Sequence, residues 1–168
     1  QGRDTMKILH TGDLHVGKKI KGRSRAEEHR DVLAEIETIA QEEEVDIAII
    51  AGDLFDRSAP TPESEDIVYS ALVGLSKCCK QVVVVAGNHD NPDRLKAIKH
   101  LLNPTRICIA THIAQPDDGG VVQFKSDTGE TAQISLLPFI SQRAIVKAND
   151  LMNLDADEHA GKYSDYLQ

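Results

Sequence analysis

Two stretches decide the fold: Asp46–Asp56, which reads DIAIIAGDLFD, and Gln81–Asp90, which reads QVVVVAGNHD. Each opens on a polar residue, runs through five or so apolar residues rich in β-branched side chains, and breaks at a glycine followed by polar groups. A short continuous apolar run of this kind is the signature of a strand buried on both faces, as in a parallel sheet. A third, weaker copy comes first: Met6–Thr11 (MKILHT) leads into Gly12-Asp13-Leu14-His15. Between these runs the apolar spacing changes from continuous to three and four. Over Arg25–Glu44 the residues Ala26, Val32, Leu33, Ile36, Ile39 and Ala40 outline an amphipathic helix, and over Glu63–Cys79 the residues Ile67, Ser70, Ala71 and Gly74 or Leu75 outline another. Pro60 and Pro62 mark the loop between them and the preceding strand. The order β-α-β-α-β with buried strands predicts an α/β fold built on a parallel sheet with right-handed crossovers.

Beyond Asp90 the pattern predicts a short helix over Arg94–Leu102, a strand over Arg106–Ala110, and a hairpin of Val121–Phe124 with Ala132–Leu137 around an Asp-Thr-Gly turn. Ser141–Ala148 and Ala156–Leu167 have helical spacing. Gln1–Thr5 precede a start methionine and read as a cloning remnant, which leaves residues 6–168 as one domain.

The whole chain has 168 residues, 40% hydrophobic and 27% charged, the composition of an ordinary globular domain rather than a fibre, a coiled coil or a disordered tail. No apolar window is long enough to span a bilayer, and no signal-peptide pattern follows Met6. Cys78, Cys79 and Cys108 are an odd number without CxxC spacing, which reads as unbridged thiols in a reducing compartment, hence a cytoplasmic location. The net charge of −8 speaks against a general polyanion binder. One segment runs the other way: Lys18, Lys19, Lys21, Arg23 and Arg25 lie between Gly17 and Ala26 with no acid among them. Such a run is either a solvated loop or a contact with a nucleic-acid backbone.

The chemistry is concentrated at the strand ends. Ligands of open parallel sheets bind beyond the carboxyl ends of the strands, so Gly12-Asp13-Leu14-His15, Gly52-Asp53 and Gly87-Asn88-His89-Asp90 should lie side by side. One Gly-Asp after a strand is usually a turn; three polar clusters at matching ends of consecutive strands make a site. Asp13, His15, Asp53, Asn88 and His89 offer oxygen and nitrogen donors and no thiolate, a set suited to Mn²⁺, Mg²⁺, Fe or Zn²⁺. A carboxylate between two such ions can bridge them at about 3.5–4 Å, the separation used in phosphoester hydrolysis.

These motifs resemble the first three of the calcineurin-like metallophosphoesterases. The flanks Leu54-Phe55-Asp56-Arg57, Asn91-Pro92-Asp93-Arg94-Leu95 and Glu28-His29 are similar, within that superfamily, to the SbcD-type DNA-repair nucleases. The resemblance implies the superfamily's layered α/β sandwich and hydrolysis of DNA phosphodiesters with two divalent ions, Mn²⁺ first among them. It implies that Asp13 and His15 hold one ion, Asp53 bridges both, Asn88 binds the second, and His89 acts catalytically beside the leaving oxygen. Asp56 and Asp90 would brace these groups, and the five cations from Lys18 to Arg25 would meet the DNA backbone. The partners it implies are DNA, an SMC-like ATPase called SbcC, and a second copy of the chain in a dimer. One departure accompanies it: the later His and the Gly-His-x-His motif that complete the family's site are absent. His10, His29, His100, His112 and His159 read as surface or core residues. The expectation is an N-terminal part of a nuclease domain, with the missing ligands beyond Gln168. Two other readings stay open, a phosphoesterase of the same superfamily acting on nucleotides or phosphoproteins, and a scaffold that has lost its activity.

Overall fold

The computed structural model describes residues 5–102, 106–127 and 129–141. Four parallel strands form the central sheet in the order β1 (Ile8–Thr11), β4 (Ile47–Ala51), β5 (Gln81–Val85) and β6 (Ile107–Ala110). A two-stranded ribbon, β2 (Lys19–Ile20) with β3 (Arg23–Ser24), and helix α1 (Ala26–Glu42) connect β1 to β4. Helix α2 (Pro62–Cys78) leads to β5 and α3 (Pro92–Leu102) to β6; an antiparallel hairpin, β7 (Val121–Lys125) with β8 (Thr131–Ser135), follows.

Strand alternation sorts the buried side chains into two layers. Ala48, Ile50, Val82, Val84, Ile107 and Ile109 pack with Leu33 of α1, Ile67, Val68 and Leu72 of α2, and Leu95 of α3, so all three helices share one face of the sheet. Ile47 and Val83 point the other way, into a second core with Leu136 and the hairpin residues Val122, Phe124, Ala132 and Ile134. The result is a three-layer α/β sandwich: helices, parallel sheet, hairpin.

Local signals account for the helix starts. Pro62 occupies the first turn of α2, and the Thr61 hydroxyl accepts from the Ser64 backbone N–H at 3.2 Å, an N-cap that satisfies one of the free amides. At α1 the N-cap residue Arg25 makes no side-chain cap bond, and the first helical amide, Ala26 N, donates instead to Ser24 Oγ at 3.2 Å.

The structure departs from the sequence reading in four places. Strand β1 is not buried on both faces: among the described residues only β4 pairs with it, and Ile8 is 50% exposed. In α1, Val32 and Ile39 face solvent and the inward stripe runs through Leu33 and Ala40; in α2, Ser70 is exposed and Ser64, Ile67, Val68, Leu72 and Leu75 are buried. Apolar residues one position apart around a helix cannot all face the sheet, and contact with it selects among them. The basic segment is not an irregular loop but the β2–β3 ribbon. Finally, the hairpin strands are Val121–Lys125 and Thr131–Ser135, with Leu136 leaving the ladder to fill the second core. The helical expectations for Ser141–Ala148 and Ala156–Leu167, together with His159, lie outside the described residues.

All three cysteines are free. Cys79 is fully buried, and burial with the adjacent Cys78 thiol pushes its pKa up to about 12; burial also raises Cys108. Cys79 and Cys108 are packing thiols held protonated. No described helix is long and apolar enough to cross a membrane.

Candidate metal centre

The three strand-end loops meet because β1, β4 and β5 are neighbours and because the pairing continues past the strands. Asp13 N donates to Gly52 O at 3.1 Å, His15 N to Asp53 O at 2.9 Å, and Val16 N to Leu54 O at 3.0 Å. The first loop therefore runs in parallel register with the second. The glycines set how close the loops come. A Cβ on Gly12 would lie 3.0 Å from Ala51 O, and one on Gly52 would lie 2.9 Å from the Gly87 Cα. A Cβ on Gly87 would overlap the Asp53 backbone nitrogen and Oδ1 outright.

Three of the polar residues sit in left-handed backbone: Asp13 at φ 53°, His15 at φ 44° and Asp53 at φ 51°. This region is unfavourable for side-chain-bearing residues, although Asp and His enter it more readily than most. Conformations of this kind persist where surrounding structure imposes them, and they cluster at functional sites. Here the cross-loop hydrogen bonds impose them.

The side chains converge. Ligand atoms of His15, Asp53 and His89 lie within 4.8 Å of one another, and the His15 and His89 rings meet edge to face with centroids 4.7 Å apart. His15 Nε2 is 3.6 Å from Asp13 Oδ1 and 3.8 Å from Asp53 Oδ2. Those separations are too long for hydrogen bonds. Two donors about 2.1 Å from one ion lie roughly 3–4 Å apart, depending on the angle between them, so the spacing suits donors gathered around a shared cation. Asp53 is buried, and among the described residues its carboxylate accepts one hydrogen bond, from His89 N to Oδ1 at 2.9 Å. Buried carboxylates are normally charge-compensated, and a divalent cation held by oxygen and imidazole nitrogen would compensate this one. The residues present fit such an ion.

Around this centre the other predicted residues take distinct places. The Asp56 backbone carbonyl is 2.9 Å from His89 Nδ1, which leaves Nε2 as the free nitrogen of that ring. The Asp56 carboxylate stands 3.8 Å from His15 Nδ1, a buried atom with no hydrogen bond among the described residues. Asp90 is buried and ties two loops together, Oδ1 accepting from Phe55 N at 3.1 Å and Oδ2 from Gly87 N at 2.9 Å. Asp13 is largely exposed, and Asn88 is exposed on the rim of a cleft of about 540 Å³ that also takes in Asp13 and Asp53. The basic residues are not brought to the centre. Lys18, Lys19, Lys21 and Arg23 stand exposed on the ribbon, whereas Arg25 is paired with Glu28, Nε to Oε2 at 2.7 Å.

Four residues in or near the site were not legible as such in the sequence. His10 lies on the cleft wall because it pairs in register with Ile49, which faces the hairpin side; period-2 alternation along β1 would have pointed there. Leu137 and Phe139, 64% and 50% exposed, line the same cleft, and no sequence signal marks them. His29, in the first turns of α1, carries a buried Nδ1 without a partner, and its pKa is lowered by burial first and by Arg25 second, against opposing pulls from Glu28 and Asp56.

Residues 6–146 match the model of the calcineurin-like phosphoesterase family. The chain is 38% identical over 154 residues to the SbcD component of the nuclease SbcCD from Bacillus subtilis, covering 91% of this chain and 38% of that protein. Identity is 34% over 145 residues with the same-named protein of Rhodobacter capsulatus, covering 82% of this chain and 36% of the relative. With that of Escherichia coli K12 it is 31% over 168 residues, 97% of this chain and 40% of the relative. The chain thus spans about two-fifths of the length of these relatives. With the family match running from β1 through all three strand-end loops, the chain belongs to the calcineurin-like phosphoesterases.

Proposed function

We propose that this chain is part of an SbcD-type DNA nuclease and supplies most of a two-metal centre for phosphodiester hydrolysis. The observation that carries the reading is the convergence of His15, Asp53 and His89 within 4.8 Å, with the Asp13 carboxylate beside them. The shared name of the relatives, one component of the nuclease SbcCD, supports a DNA substrate and SbcC as a partner for the intact protein. Their greater length supports reading the chain as one part of a longer nuclease domain. A second copy in a dimer, a role in DNA repair, manganese as the working ion and a cytoplasmic location belong to the same proposal; the free thiols support a reducing compartment.

In this reading Asp13 and His15 hold one ion, Asp53 is shared and Asn88 serves the second. Divalent ions supply charge neutralisation at the phosphoryl oxygens and an activated water. The chain's own groups do the rest. The Asp56 carbonyl holds the His89 ring by Nδ1, which leaves Nε2, when protonated, to give its proton to the departing oxygen. Asp90 keeps the second and third loops in register. Lys18, Lys19, Lys21 and Arg23 lie on a ribbon that begins a few residues after His15 and meet the DNA backbone, with Arg25 reserved for Glu28.

The test is a calorimetric Mn²⁺ titration of the chain beside Asp53→Asn, joined to hydrolysis of linear duplex DNA and of a cyclic nucleotide by the intact protein. Binding that disappears in the variant and preference for DNA are expected. Binding unaffected by Asp53→Asn would refute the metal assignment, and preference for the cyclic nucleotide would move the protein to another branch of the superfamily.

A further inference from the structure

The β2–β3 ribbon is unusual for how little holds it. Every residue from Gly17 to Ser24 is exposed, and the ladder is two residue pairs long, Lys19 with Ser24 and Ile20 with Arg23. The reversal is Lys21-Gly22, both at positive φ, 49° and 79°, the backbone of a type I′ turn. Such turns prefer Asn at the first position, and a lysine there is held in an unfavourable conformation. The molecule therefore places a cation at the tip against local preference. Lys18, Lys19, Lys21 and Arg23 have no ion-pair partner among the described residues, on a chain whose net charge is −8. Between them stands Ile20, 52% exposed, on a ribbon with no core for it to join.

We propose that the ribbon enters a groove of duplex DNA and that Ile20 is the apolar wedge it presses against a base step. The inference rests on the DNA-nuclease reading and adds how the substrate is deformed beside the site. Four unpaired cations suit two flanking phosphate chains, a two-stranded β-ribbon fits a DNA groove, and an apolar side chain between basic ones is the pairing that unstacks bases in groove-binding proteins.

The experiment uses short duplexes carrying 2-aminopurine, whose fluorescence rises when it unstacks, with the chain in EDTA so that no hydrolysis intervenes. Anisotropy reports binding and its salt dependence. Wild type is expected to bind with a negative salt slope and to raise the fluorescence. Ile20→Ala should abolish the rise and weaken binding only about fivefold, since part of one side chain is removed from the interface, while keeping the salt slope. Lys18→Glu with Lys19→Glu should flatten the slope. Binding without a rise in wild type, or a rise undiminished in Ile20→Ala, would overturn the wedge and leave the DNA reading standing. No salt-dependent binding by wild type would overturn the DNA reading and the wedge with it. Loss of binding to an SbcC-type ATPase in Ile20→Ala, with fluorescence unchanged, would overturn the wedge and assign the ribbon to a protein partner.

Discussion

Gly87→Ala tests how the metal centre is built. Gly87 does not need left-handed backbone, so alanine is conformationally allowed there, and its lower unfolded-state entropy would by itself stabilise the protein by about 0.4–1 kcal/mol. The added methyl, however, would overlap the backbone nitrogen and Oδ1 of Asp53. Restoring ordinary carbon contact, about 3.5 Å or more, requires the second and third loops to part by about 1 Å. Neither side can yield easily. Asp90 bonds both Phe55 N and Gly87 N, and Gly52 approaches Gly87 closely as well. Overpacking of this kind costs about 1–3 kcal/mol, so the net loss of stability should lie between about 0 and 2.6 kcal/mol, read by urea denaturation. The functional loss should be larger. Asp53 is the carboxylate between the two proposed ion positions, and a displacement of about 1 Å in such a site costs on the order of 10²-fold. Calorimetric Mn²⁺ affinity should fall by about that factor while circular dichroism stays native. An affinity within about twofold of wild type, alongside loss of binding in Asp53→Asn, would refute the argument that this close approach places the Asp53 carboxylate.

Other expectations follow from single interactions. Asp90→Ala strands one buried and one partly buried amide and should cost about 2–4 kcal/mol in urea unfolding, with Asp90→Asn milder because one acceptor remains; a loss under about 0.5 kcal/mol in Asp90→Ala would contradict the bracing role. The lowered pKa of His29 means that below the ordinary value of 6.5 the unfolded chain takes up a proton that the folded chain resists. Its contribution to stability is present above pH 6.5 and disappears as the pH falls, so His29→Gln should flatten the decline of the thermal midpoint on acidification from neutral pH; an unchanged profile would count against it. His89→Ala should lower phosphodiester turnover of the intact protein by about 10²–10⁴-fold with Mn²⁺ binding retained, whereas loss of Mn²⁺ binding would make His89 a ligand. Lys21→Asn supplies the Asn-Gly pair favoured in type I′ turns and should raise the thermal midpoint while lowering the DNA salt slope by about 0.9, the share of one phosphate that is no longer neutralised; a lowered midpoint would rule out the strained turn.

Much of the fold was legible because its main signals are local. The runs IAII and VVVV read as strands buried on both sides and the glycines that end them as turns, so the β-α-β-α-β succession and the alignment of Asp13, Asp53 and Asn88 at one end of a parallel sheet follow from the chain itself. The sequence also determined which donors are available, oxygen and imidazole without thiolate, and therefore the class of ion. Tertiary structure decided what depends on contacts between distant segments. Period alone could not say that Val32, Ile39 and Ser70 face water, because each lies at the margin of a helical stripe whose inner limit is set by the sheet. Nor could it say that Ile8 is half exposed on a strand that, among the described residues, pairs only with β4, since pairing is a property of the sheet and not of the residue. The left-handed backbone of Asp13, His15 and Asp53 comes from hydrogen bonds between loops some forty residues apart, and so do the anchoring of His89 on the Asp56 carbonyl and the Asp90 brace. The donor set is a matter of residue type and local spacing; the few ångströms that bring it together exist only once three strands have paired.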